Sequence, residues 1–150
     1  MQAKYVHTNL IAQDWRKIVD FYQQVFGCTT VVADSHLSGR WLGQMSSVPH
    51  AEIRLTHLRL PGCGDEGPTL EIIQYNQQEE AQPTAANRPG FGHIAFAVDD
   101  VKTAHEAVLA AGGGSVGELV AADLAGRGRL TVVYATDPEG NIIELQHWSH

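Results

Sequence analysis

Displaced by 86 residues, the chain lies on itself: His7 falls on His93, Asp14 on Asp100 and Gly27 on Gly113. Trp15, Ile18, Phe21, Tyr22 and Val25 fall in the same shift on Val101, Ala104, Ala107, Val108 and Ala111. A chain built of two copies of one unit is constrained to fold as two copies of one supersecondary motif. Each copy opens with a strand. In the second, Ile94, Phe96 and Val98 alternate with His93, Ala95 and Ala97, so the histidine shares a face with small residues only. Asp14 and Asp100 supply N-cap chemistry for the segments that follow, where apolar residues step by three and four and predict amphipathic helices. Gly27 and the run Gly112-Gly113-Gly114 are the expected helix stops.

The remainder of each copy reads as strands. Cys28 to Ala33 is rich in Thr and Val, Glu52 to Leu60 interleaves charged and apolar residues, and Thr69 to Tyr75 follows a turn-rich loop, Pro61 to Pro68. In the second copy Leu130 to Ala135 is β-branched, Asp137-Pro138-Glu139-Gly140 has the pattern of a type I turn, and Asn141 to Trp148 closes the chain. Each copy therefore reads β-α-β-β-β, an α+β fold. A polar connection, Asn76 to Pro89, separates them: module 1 spans about 1–78, the linker about 79–89 and module 2 about 90–150 of a single domain. Gly117 to Arg129 reads as irregular, either a mobile lid or a surface loop.

Composition narrows the functions open to this architecture. At 150 residues the chain is long enough to bury a core without staples. No apolar run approaches a membrane span, the N-terminus lacks a signal-peptide core, and the expected location is cytoplasmic. A net charge of -7 argues against a nucleic-acid partner. Cys28 and Cys63 have no ligand-like spacing and read as reduced packing residues.

The last strands of the two copies carry a second pair of matched residues, Glu71 and Glu144, each within a largely apolar run. A carboxylate in a half-buried strand is costly unless something compensates it, and a metal ion is one such compensation. His7, Glu71, His93 and Glu144 make a set of two imidazoles and two carboxylates on four strands. That set suits a divalent ion such as Zn, Ni, Co, Mn or Fe, whereas structural zinc more often uses cysteine. Singly, a strand histidine is more often a hydrogen-bonded structural residue; the equivalent placement in a repeat is what favours a ligand. His36, His50, His57, His105, His147 and His150 have no such equivalence.

These residues resemble the vicinal oxygen chelate superfamily, which includes glyoxalase I, methylmalonyl-CoA epimerase, extradiol dioxygenases and fosfomycin or bleomycin resistance proteins. The resemblance runs through His7-Thr8-Asn9-Leu10, Phe21-Tyr22, Phe26-Gly27, Leu70-Glu71, Gly92-His93-Ile94-Ala95, Asp137-Pro138-Glu139-Gly140 and Ile143-Glu144-Leu145. It implies paired βαβββ modules forming a curled eight-stranded mixed sheet around a metal cleft. It implies His7, Glu71, His93 and Glu144 as ligands, an order most similar to glyoxalase I, with Glu144 the base and Glu71 a ligand able to act from the opposite face. The implied activity is that of a metal-dependent lyase or isomerase on a small molecule, in a homodimer. The alternatives are a methylmalonyl-CoA-type epimerase, a non-catalytic binding protein of the resistance type, and an extradiol dioxygenase. Glutathione-using glyoxalases commonly carry arginine four residues after the first histidine; here that residue is Ile11, which departs from glutathione use. Arg127 and Arg129 are candidates to hold an anionic substrate group, although solvent-facing loop arginines are the commoner case. Trp41 and Met45 suit either a cleft cap or a dimer contact.

Overall fold

A computed structural model describes all 150 residues. The chain divides into two compact units, Met1–Glu80 and Ala81–His150, and the division falls inside the expected linker.

The first unit runs β1 (His7–Ile11), α1 (Trp15–Phe26), β2 (Thr29–Ser38), α2 (Arg40–Ser46), β3 (Glu52–Arg59) and β4 (Thr69–Tyr75). Its four-stranded sheet has the order β1-β4-β3-β2, with β1 parallel to β4 and the other pairs antiparallel. Asp14 caps α1, its Oδ1 accepting from the amides of Arg16 and Lys17 at 3.2 and 3.3 Å. These bonds satisfy donors that the first turn leaves without intrahelical partners. Asp14→Ala is expected to lower stability by about 1 kcal/mol, read as a reduced urea midpoint with unchanged slope. Gly27 ends the helix at φ 66°, a left-handed conformation that a side chain would strain.

The second unit runs β5 (Ile94–Ala97), α3 (Val101–Ala110), β6 (Gly114–Ser115), β7 (Val120–Leu124), β8 (Gly128–Thr136) and β9 (Ile142–Ser149). Its sheet has the order β5-β9-β8-β6, with β7 also on β8 and β5 parallel to β9. The fold is thus α+β, and both units share one βαβββ connectivity and one strand order. The expected eight-stranded sheet is instead two sheets, of four and five strands, neither of them closed. The additional strand arises because the second module breaks what is one strand in the first. Ser115 pairs with Ala135, and pairing with β8 resumes only at Val120 with Val132.

The segment Gly117 to Arg129 accordingly differs from the irregular loop that its glycines suggested. Val120–Leu124 pairs with Gly128–Val132 across a tight turn, so it is a hairpin. Asp100 caps α3, accepting from the Thr103 amide at 2.6 Å. The repeat-matched Gly113 has a different reason from Gly27: a Cβ there would meet the Thr136 carbonyl oxygen at 2.3 Å and Val108 Cγ1 at 2.6 Å. Cys28 is buried, and burial pushes its thiol up to about 11, which makes it inert. Cys63 corrects the expectation of a packing residue, because it is free and exposed in the loop before β4. No helix is long and apolar enough to cross a membrane.

Candidate metal centre

In the first unit, strand pairing gathers the donors. His57 lies directly opposite Glu71 in the antiparallel β3–β4 pair, and Asn9 is the parallel partner of Glu71 from β1. Side chains alternate across a strand, so His7, Asn9, His57 and Glu71 share one sheet face. Glu71 Oε2 lies 3.4 Å from His7 Nε2, and Oε1 lies 3.2 Å from His57 Nε2. Asn9 Nδ2 donates to Oε2 at 3.1 Å. The donor atoms of His7, His57 and Glu71 all fall within 4.8 Å of one another. Along the same face the next row is apolar, with Ile11 the partner of Ile73 and Leu55 opposite it. Leu55 and Ile73 pack under Leu42 of α2, whereas Ile11 is 51% exposed beside the polar row.

The second unit repeats the layout with different side chains. His93 Nε2 lies 3.3 Å from Glu144 Oε2. Tyr134 occupies the position opposite Glu144 that His57 occupies opposite Glu71. Its hydroxyl donates to Glu144, and its ring lies 5.0 Å from the His93 ring. Burial, then the Glu144 charge and that hydrogen bond, push the phenol above its usual range, so it stays protonated at neutral pH. Ala95, opposite Glu144, and Ala97 are exposed, leaving the face beside His93 open.

The donor chemistry fits a divalent ion. Ligands held at about 2.1 Å in tetrahedral or octahedral geometry stand roughly 3.0–3.4 Å apart, which is the spacing of each histidine nitrogen from its nearest glutamate oxygen. Of the four residues expected from sequence, the structure brings His7 to Glu71 in one unit and His93 to Glu144 in the other. Arg127 and Arg129 engage other groups. The Arg127 guanidinium lies 5.0 Å over the Trp148 ring, and Arg129 pairs with Asp123 at 3.0 Å.

A profile of the Glyoxalase/Bleomycin resistance protein/Dioxygenase superfamily matches residues 4–145. The chain belongs to that superfamily. Among relatives of this superfamily member, a "Probable lactoylglutathione lyase" from Vibrio parahaemolyticus is 30% identical, over 95% of this chain and 89% of its own length. A "Lactoylglutathione lyase" from Neisseria meningitidis is 28% identical, over 95% and 88%. Among solved structures, a glyoxalase family protein from Bacillus cereus superposes with a TM-score of 0.76 at 16% identity, covering 100% of this chain and 95% of that one. A fosfomycin resistance protein from Listeria monocytogenes gives 0.64 at 21% identity, covering 99% and 94%. These two structural likenesses support the shared fold.

His57, Asn9 and Tyr134 escaped the repeat comparison because the residues opposite the two glutamates differ between modules. The signal was hairpin register. Closing the first hairpin at Arg59 and Thr69 puts His57 opposite Glu71, and closing the second at Thr136 and Ile142 puts Tyr134 opposite Glu144.

Proposed function

We propose that this superfamily member is a divalent-metal-dependent lyase or isomerase of the glyoxalase I type. The observation that carries this reading is the matched closure of a histidine Nε2 onto a glutamate carboxylate in both modules, at 3.4 and 3.3 Å. His7, Glu71, His93 and Glu144 are the proposed ligands, for Zn, Ni, Co, Mn or Fe. A bound divalent ion supplies Lewis-acid polarisation of two neighbouring substrate oxygens and so acidifies the adjacent C–H.

Glu144 is the base in this scheme. Its carboxylate takes the proton from carbon, and the electron pair left behind delocalises onto the adjacent oxygen. Return of that proton to the neighbouring carbon, with the hydroxyl proton of the first carbon passing to the oxygen of the second, gives the isomer with no external oxidant or reductant. The division of labour between the glutamates follows from their partners. Glu71 is held by His7, His57 and Asn9, whereas Glu144 is held by His93 and Tyr134 only. A carboxylate with fewer anchors is freer to exchange a proton, and one with more is better placed as a fixed ligand. A single proton-transferring carboxylate favours isomerisation over epimerisation, which needs a second group to deliver the proton from the other side.

The names of the Vibrio and Neisseria relatives support lactoylglutathione-lyase-like chemistry. Ile11 modifies the substrate. It projects from the donor face, 51% exposed, where glutathione-using members carry arginine. The proposed substrate is a small carbonyl compound with two vicinal oxygens that presents an apolar group there.

Purified protein is expected to hold stoichiometric divalent metal and to catalyse exchange of the substrate C–H in deuterated water, followed by NMR. Chelation is expected to remove the exchange, and added divalent ion to restore it. Protein without bound metal would overturn the metal reading; tight ligand binding without exchange would make it a sequestering protein.

A further inference from the structure

We infer that His57 is a further metal ligand, joining His7 and Glu71 as the first module's three donors to the divalent cation. The inference deepens the proposed metal reading and rests on it.

The two oxygens of Glu71 face different imidazoles, Oε1 toward His57 Nε2 at 3.2 Å and Oε2 toward His7 Nε2 at 3.4 Å. The imidazole rings stand edge to face, 5.5 Å apart at 72°, and each presents its Nε2 to the carboxylate. The remaining nitrogen of His57 is engaged, because Nδ1 lies 2.9 Å from Thr69 Oγ1. In the tautomer whose Nδ1–H donates to that hydroxyl, Nε2 presents a lone pair on the carboxylate side, as a metal ligand must; in the other, Nε2–H donates to the carboxylate. The first is how a metal-binding histidine is ordinarily prepared: the second nitrogen donates to a neighbour, which fixes tautomer and ring orientation.

The site is also accessible and chemically selective. His57 and Glu71 are partly buried, with 19% and 14% of their side chains exposed, which leaves an entry path. Two imidazoles and one carboxylate suit a borderline transition-metal ion over Ca²⁺ or Mg²⁺, which prefer all-oxygen shells. The second module has no counterpart. Tyr134 takes the register position of His57, and a protonated phenol is a poor ligand, so His93 and Glu144 have no third donor there. The first module is therefore the stronger cation binder, and the second offers the less anchored carboxylate.

The test uses the full chain and Co²⁺ as the probe. In the double variant His93→Ala with Glu144→Gln, the first module is expected still to bind about one equivalent of Co²⁺, with two imidazole ligands by X-ray absorption. Adding His57→Ala or His57→Asn is expected to weaken binding by more than about a hundredfold, beyond the 10–100-fold that loss of an orienting neighbour costs. Circular dichroism checks that these variants fold, and the imidazole count needs no change at His57. A single imidazole in the double variant, or a loss below a hundredfold, overturns the role of His57 while leaving the proposed function standing. Unaltered protein that takes up no divalent metal overturns both.

Discussion

Glu144→Gln is expected to slow substrate C–H exchange by about a thousandfold while leaving the fold in place. Removing a positioned general base costs typically 10²–10⁴-fold, so a factor near 10³, or about 4 kcal/mol of barrier, is the expected scale. The substitution is isosteric and fits its surroundings. The new amide oxygen still accepts from the Tyr134 hydroxyl, and the amide nitrogen can donate to His93 Nε2. Stability should therefore stay within about 1 kcal/mol of the parent, by thermal and urea melts. An amide is also a weaker ligand than a carboxylate, so the comparison belongs at saturating metal, where only proton transfer is lost. Glu71→Gln is the control. Its side chain is anchored by His7, His57 and Asn9, so its replacement should weaken metal binding and be largely rescued by excess metal. Equal, unrescued losses in the two variants would contradict the assignment of Glu144 as the base.

The contrast between these glutamates marks where sequence periodicity stops informing. Strand alternation and helical spacing are local, and the structure bears out β1, α1, β4, α3 and both capping aspartates close to where the pattern put them. Repeat alignment carried the fold further, because two copies of one motif share one strand order. The residue opposite a glutamate is a property of hairpin register, however, and the repeat does not preserve it: His57 in one module is Tyr134 in the other. The β7 strand was hidden for a related reason. Val120-Ala121-Ala122-Asp123-Leu124 carries no strong alternation of its own and is exposed along its length, so its order comes from pairing with β8. The same break between β6 and β7 turned the expected eight strands into nine.

Tyr22→Ala and Val108→Ala, at matched positions of the two repeats, are expected to differ in cost: about 3–5 kcal/mol for the tyrosine and about 2 for the valine. Both side chains are fully buried on the inner face of their helix. Tyr22 packs with Phe21 and Phe26 at centroid distances of 5.2 and 5.9 Å, and α1 also buries Trp15, Ile18 and Val19. Truncation there removes a ring from an aromatic cluster and leaves a cavity too large for neighbours to fill. In the second module α3 buries only Val101 and Val108. The end of the helix lies close to β8, where a Cβ on Gly113 would strike both Val108 and the backbone of Thr136. A small side chain at a close interface leaves a small void when truncated. Against a typical stability of about 5–15 kcal/mol, the tyrosine loss is severe and the valine loss tolerable. Urea melts followed by circular dichroism read both, and equal costs would mean that helix-to-sheet spacing does not set the difference.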